Sequence, residues 1–183
     1  MISHKAFYKY GKVSLSLIIV AAFGLIITSC AGNDPAQDHW GQKYTSDLYE
    51  FSFAYPQDME IKTEKIRNGA VTIHLVQTSG KAMQLVFYMV PEVFSQEELA
   101  AEAQMLLDSS LYRIQSIYEK GTEEITGHQV TLIEALAGEK EVIKAGAAAF
   151  SSGERSFFIT VIAPEENYEP ALENLYKVVE SID

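Results

Sequence analysis

Between residues 49 and 90 the chain places apolar side chains at every second position, and a period of two is the signature of a β-strand. "YEFSFAYP" sends Tyr49, Phe51, Phe53 and Tyr55 to one side and ends at Pro56, which has no N–H to give to a ladder. "MEIKTEK" continues the alternation weakly. "AVTIHLVQT" puts Val71, Ile73 and Leu75 on one face and Thr72, His74 and Val76 on the other. "SGK" at residues 79–81 reads as a hairpin turn leading into "AMQLVFYMV". Strands joined this closely have no room for a crossover helix, so they pair antiparallel as a meander.

The next segment changes period. In "SQEELAAEAQMLLDSS", Ser95 and Glu98 have the capping-box spacing, and Leu99, Ala103, Leu106 and Leu107 fall on one helical stripe. Ile114 and Ile117 fit that stripe as well as they fit a strand. The β-branched residues and the Tyr112, Ile114, Tyr118 side favour a strand from about Arg113. "EEITGHQVTLIEAL" predicts a strand with a turn or bulge at Gly127, followed by a hairpin turning at Ser152 and Gly153. The small residues 146–149 call for a helix or another backbone lying close over their strand. The last segment, "NYEPALENLYKVVESI", is helical, with Pro170 in the first turn and Leu172, Leu175, Tyr176, Val179 and Ile182 as its buried stripe. Strands, a helix, more strands and a closing helix make an α+β sandwich, an antiparallel β-sheet with helices packed on it, in one domain over residues 44–183.

Ahead of that domain stands a different texture. Lys5, Lys9 and Lys12 precede an apolar run of about 15 residues that ends in small residues, which is the pattern of an export signal over residues 1–29. A spanning helix needs roughly 20 apolar residues, so a permanent signal anchor fits less well. Ile27, Thr28, Ser29 and Cys30 resemble the lipobox of bacterial lipoproteins: an aliphatic residue, two small ones, then cysteine. The resemblance implies a diacylglycerol thioether on Cys30, cleavage between Ser29 and Cys30, and attachment to a membrane through acyl chains. Two or more chains hold a protein stably at a bilayer. Residues 30–43, polar and with Gly, Asn, Asp and Pro, read as the acylated cysteine and a flexible tether. Trp40, inside that stretch, is expected to pack on its own domain.

Loss of the leader removes three lysines and no acid, so the net charge of −11 becomes −14. Such a surface repels phosphate backbones, and nucleic-acid binding is not expected. Cys30 is the sole cysteine, which excludes an internal disulfide framework.

The strand end formed by Phe51, Phe53, Tyr55 and Pro56 resembles the entry signature of the PsbP-like fold. That group includes the photosystem II extrinsic protein and DcrB-type bacterial lipoproteins. The Gly127 turn before a long strand and the closing helix with Ser181 and Ile182 are similar too; Met59 stands where the group often has a tryptophan. The resemblance implies an antiparallel sheet carrying helices, exported or lipid-anchored, mostly non-catalytic, and it transfers no catalytic residue.

The residues themselves carry little chemistry. His39, His74 and His128 are scattered, with no pair at metal-binding helical spacing, and neither a metal nor another cofactor is expected. Residues 151–155, "SSGER", read as a hairpin turn, and no nucleophile elbow is present. The acidic groups Glu97, Glu98, Glu102 and Glu165, Glu166, Glu169 lie near helix starts, where acids are favoured. They lack the spacing of a calcium loop. Tyr49, Phe51, Phe53, Tyr55, Phe87, Tyr88, Phe157 and Phe158 are numerous enough to line an apolar cup, but are expected to fill the core. The expectation is therefore a non-enzymatic, lipid-anchored envelope lipoprotein that binds protein partners. The alternative is a carrier or sensor holding a small apolar ligand or metal ion in the sheet-helix cleft. Ala31 lacks the aspartate associated with inner-membrane retention, so the outer membrane is expected in a cell with two membranes. In a cell with one, the outer face of the plasma membrane is expected.

Overall fold

A computed structural model of the chain describes residues 40–78, 83–110, 114–137 and 142–183. Its strands are β1 (Trp40–Ser46), β2 (Phe51–Pro56), β3 (Met59–Arg67), β4 (Ala70–Gln77), β5 (Gln84–Val90), β6 (Ile114–Ile125), β7 (His128–Ala137), β8 (Ile143–Ser152) and β9 (Arg155–Pro164). Helix α1 (Gln96–Ser110) lies between β5 and β6 in the chain, and α2 (Tyr168–Glu180) follows β9 after a short 3-10 turn. β1 and β2 form a two-stranded hairpin. The other seven make one sheet in the order β3-β4-β5-β9-β8-β7-β6, antiparallel throughout. The hairpin and α2 pack on one face and α1 on the other. This is the α+β arrangement that the alternation and the helix signals call for.

The turns follow backbone chemistry. β3 turns into β4 at Asn68 and Gly69, with φ of 52° and 84°, and β6 into β7 at Thr126 and Gly127, with φ of 48° and 82°. Two successive positive φ values make the type I′ geometry that matches the twist of a hairpin. The expected turn at residues 79–81 lies outside the described residues, but β4 and β5 on either side pair directly.

One boundary differs from the sequence reading. β1 begins at Trp40, four residues before Tyr44 and within the stretch read as tether. The cause is pairing: Gln42 and Lys43 stand opposite Tyr55 and Ala54 of β2, and a backbone ladder needs no apolar side chain. Trp40 is half-buried against the α2-side core, with Lys177 Nζ 5.6 Å from its ring centroid, so it packs on its own domain. At the other end of the chain, Asp183 N–H donates to Ser52 O (3.1 Å) and Ala54 N–H to Ser181 Oγ (2.9 Å), which covers the free edge of β2.

Two cores result. On the α2 side Phe53 stacks on Phe87 at 4.3 Å and Phe51 on Phe87 at 5.3 Å, while Phe157 meets Phe87 at 6.0 Å and Phe150 at 5.3 Å. On the α1 side Leu99, Ala103, Leu106 and Leu107 sit over Ala135, Ala145, Ala147 and Ala149. Each buried leucine or phenylalanine stabilises the fold by about 1.5–3 kcal/mol. The small residues 146–149 serve both helices, because they alternate between the faces. A Cβ on Gly146 would lie 3.0 Å from Tyr168 Oη and 3.3 Å from Leu172 Cδ1, so α2 approaches β8 as closely as glycine permits.

Candidate functional site

The face that carries α1 has a concavity, and the sequence explains how the helix is held there. The loop before α1 is tied down by two serines: Ser156 Oγ donates to Glu92 O (2.7 Å) and accepts from Phe94 N–H (3.1 Å), with Ser151 Oγ 2.8 Å away. The capping box forms as the spacing implies. Ser95 N–H donates to Glu98 Oε2 (2.9 Å) and Glu98 N–H to Ser95 Oγ (3.3 Å). Those bonds hold the Glu98 carboxyl below its usual pKa. Gln96 then clamps β7: its Nε2 donates to Gln129 O (3.0 Å) and its Oε1 accepts from the buried Thr131 hydroxyl (2.7 Å).

α1 packs on β6, β7, β8 and β9. Between the helix and β6 lies an open groove of about 400 Å³, lined by Glu97, Ala100, Ala101, Gln104, Ile117 and Ile133. Alanines at 100 and 101 leave the space, two isoleucines form its apolar floor, and Glu97 and Gln104 edge it. β6 is the outermost strand of the sheet on this side. On the other flank, Ala70 of β4 and Val90 of β5 join the same buried cluster as α1. His74 lies there, 4% exposed, with Nε2 3.1 Å from Gln84 Oε1. Burial pushes its pKa down, favouring the neutral ring, while the Gln84 contact opposes the shift.

The acidic residues have separate fates. Glu97 is exposed at the groove, Glu98 is the capping partner, and Glu165 pairs with Lys144 at 3.0 Å. Glu166 and Glu169 are solvated. Glu102 departs from the solvated-face expectation. Its Oε2 is buried without a hydrogen-bond partner, and burial, with Glu92 and Glu98 nearby, pushes its pKa up to about 7. On the α2 face, Tyr168 Oη donates to Glu134 Oε1 (2.7 Å), and burial followed by that bond raises the phenol's pKa strongly. This bond satisfies a buried hydroxyl and joins α2 to β7.

Cys30, Ile27, Thr28, Ser29 and His39 lie outside the described residues. His128 opens β7 beside the turn, its ring stacked on Phe150 at 4.8 Å. Ser152 and Arg155 are the last pair before the β8–β9 turn. Among the described residues no three His, Cys, Asp or Glu side chains converge as a metal site, and no helix is long and apolar enough to cross a membrane. The eight aromatics do not surround one space. Phe51, Phe53, Tyr55, Phe87 and Phe157 are buried in the α2-side core with Tyr49 against it, whereas Tyr88 and Phe158 face α1, because adjacent residues of a strand point oppositely. The sequence reading names Ile117 only as a stripe or strand residue and passes over Ala100, Ala101 and Ile133. The "LAAEA" segment beside the buried stripe is the one local signal for them.

No family model and no curated protein matches the chain. Solved structures do. A protein of Bacteroides thetaiotaomicron superposes with a TM-score of 0.54 at 12% identity, over 78% of this chain and 48% of that one, so this chain spans about half of its length. Cyanobacterial PsbP from Synechocystis gives 0.51 at 13% identity, over 86% and 98% of the two chains. LpqN of Mycobacterium tuberculosis, described as involved in cell envelope biogenesis, gives 0.47 at 12%, over 79% and 91%. At such identities the shared property is the fold. The protein thus has an α+β fold similar to that of cyanobacterial PsbP, as its Phe51-to-Pro56 strand end implies.

Proposed function

We propose that this protein is a lipid-anchored envelope lipoprotein that binds protein partners without catalysing a reaction, as an assembly or accessory module. The observation that carries the reading is the closed aromatic core. Phe51, Phe53, Phe87 and Phe157 are in mutual contact and at most 3% exposed, so they form no cup for a ligand. A domain with a closed aromatic core and an open surface groove is suited to macromolecular contact. The lipobox at Ile27, Thr28, Ser29 and Cys30 supports an anchor. With β1 starting at Trp40, the ten residues from Cys30 span at most about 35 Å, which keeps the domain near the bilayer. The absence of an aspartate at position 31 supports the outer membrane in a cell with two membranes, and the outer face of the plasma membrane otherwise.

Mass spectrometry of the mature N-terminus tests the anchor: an acylated Cys30 as first residue is expected, and an intact leader or bare thiol contradicts it. Affinity purification of the full chain from native membranes tests the binding role. Reproducible stoichiometric protein partners are expected. A co-purifying small apolar ligand or metal ion with no protein partner would favour the carrier reading instead.

A further inference from the structure

The groove beside α1 adjoins a free sheet edge, and the two features together specify a kind of partner. β6 pairs with β7 on one side and is the terminal strand of the sheet, so its outward N–H and C=O groups have no partner strand among the described residues. Between its two irregularities, residues 116 to 119 run in regular register with Leu136, Ala135, Glu134 and Ile133. Ile117 in that run turns its side chain toward α1 and into the groove, next to Ile133, Ala100 and Ala101. A strand added outside β6 would hydrogen-bond to this run. Every second side chain of that strand would then lie over the groove, since strand side chains alternate between faces.

Charge narrows the class further. α1 carries Glu97, Glu98, Glu102 and Asp108 and no basic residue, and Glu97 stands at the groove itself. An acidic border attracts cationic side chains and repels anionic ones.

We propose that the groove between α1 and β6 is the docking site for an extended segment of a partner protein. That segment adds as a strand to β6, placing alternate apolar side chains against Ile117 and Ile133 and a lysine or arginine beside Glu97. The assignment rests on the protein-binding reading above and specifies where and how that binding occurs. Alanines at 100 and 101 fit this role, because larger residues would fill the space the inserted side chains need.

The test uses the full mature protein in detergent and a labelled octapeptide alternating valine and lysine. Binding is read by fluorescence anisotropy, and its location by hydrogen-exchange mass spectrometry. The peptide is expected to slow exchange in β6, and Ala101→Trp, which fills the groove, to weaken binding about tenfold or more. Glu97→Lys, at an exposed position, and methylation of alternate peptide nitrogens are each expected to weaken it about tenfold as well. A valine–glutamate octapeptide is expected to bind at least about tenfold more weakly. Absence of binding, protection on β3 instead of β6, equal binding of the acidic peptide, or indifference to both Ala101→Trp and Glu97→Lys would overturn the proposal. Membrane purification separates the two claims. A partner recovered equally with wild type and with Glu97→Lys and Ala101→Trp removes the groove and leaves the binding role, whereas no partner with wild type removes the binding role itself.

Discussion

The two faces of the seven-stranded sheet are filled by opposite means. On the α2 side, large rings from the β1–β2 hairpin stack on rings of the sheet, with Phe53, Phe87 and Phe150 wholly buried. On the α1 side the one described helix rests on a floor rich in alanines, and its contacts are concentrated on β6 to β9. Stacked aromatics close a layer completely, because each ring meets several others at 4.3–6.2 Å. Alanines let a helix sit close, but they contribute little area at its margins, and an open groove remains along its β6 flank. The α2 face is thus closed by stacked rings, and the α1 face carries the open groove proposed above as a contact site.

The comparison can be broken by unequal truncation. Phe87→Ala removes the ring on which Phe51 and Phe53 stack and is expected to cost about 3–5 kcal/mol in urea unfolding. Leu107→Ala on the opposite face should cost about 2–3 kcal/mol, since a lone helix can settle onto alanines. Equal losses would contradict the asymmetry. Gly146→Val tests the close approach of α2: its Cβ would meet Tyr168 Oη and Leu172, and overpacking of about 1–3 kcal/mol is expected in the same assay.

Smaller effects come from titration on the α1 face. Glu102 has a folded-state pKa of about 7 against an ordinary 4.5, so the folded state holds the proton more tightly. Its contribution is fully present below about 4.5 and is lost as pH rises through about 7. Glu102→Gln should remove that slope and, after discounting for partial exposure, raise stability at pH 8 by about 1–2 kcal/mol. His74 acts in the opposite sense. Burial lowers its pKa, so stability is full above about 6.5 and falls as acid charges the ring. Its substitution by glutamine should flatten the acid limb of a Tm-against-pH curve by a smaller amount.

Much of the architecture was legible because it rests on local patterns. The alternation at Val71, Ile73 and Leu75 places all three in the α2-side core, and the Ser95 and Glu98 spacing produces the hydrogen bonds it implies. The closing helix buries Leu172, Leu175 and Val179 as its stripe requires, with Tyr176 and Ile182 half-buried. The Asn68–Gly69 turn is an equally strong signal left unused, since the many charges of β3 obscure the strand before it. The groove was hidden for a different reason. Its floor joins Ile117 and Ile133 on separate strands to Ala100 and Ala101 on a helix, and only tertiary placement brings them together. Glu102 shares the texture of its solvated neighbours; the contribution of Glu92, ten residues earlier in the loop before α1, depends on how that loop folds back.

The most direct test of the division between a closed face and a contact face is site-specific photocrosslinking of the full-length protein in native membranes. Benzoylphenylalanine at Gln104, exposed on α1 beside the groove, should yield a discrete covalent adduct with a partner protein, and the same probe at Glu173, exposed on α2, should yield none. Adducts from Glu173 with none from Gln104 would contradict the account.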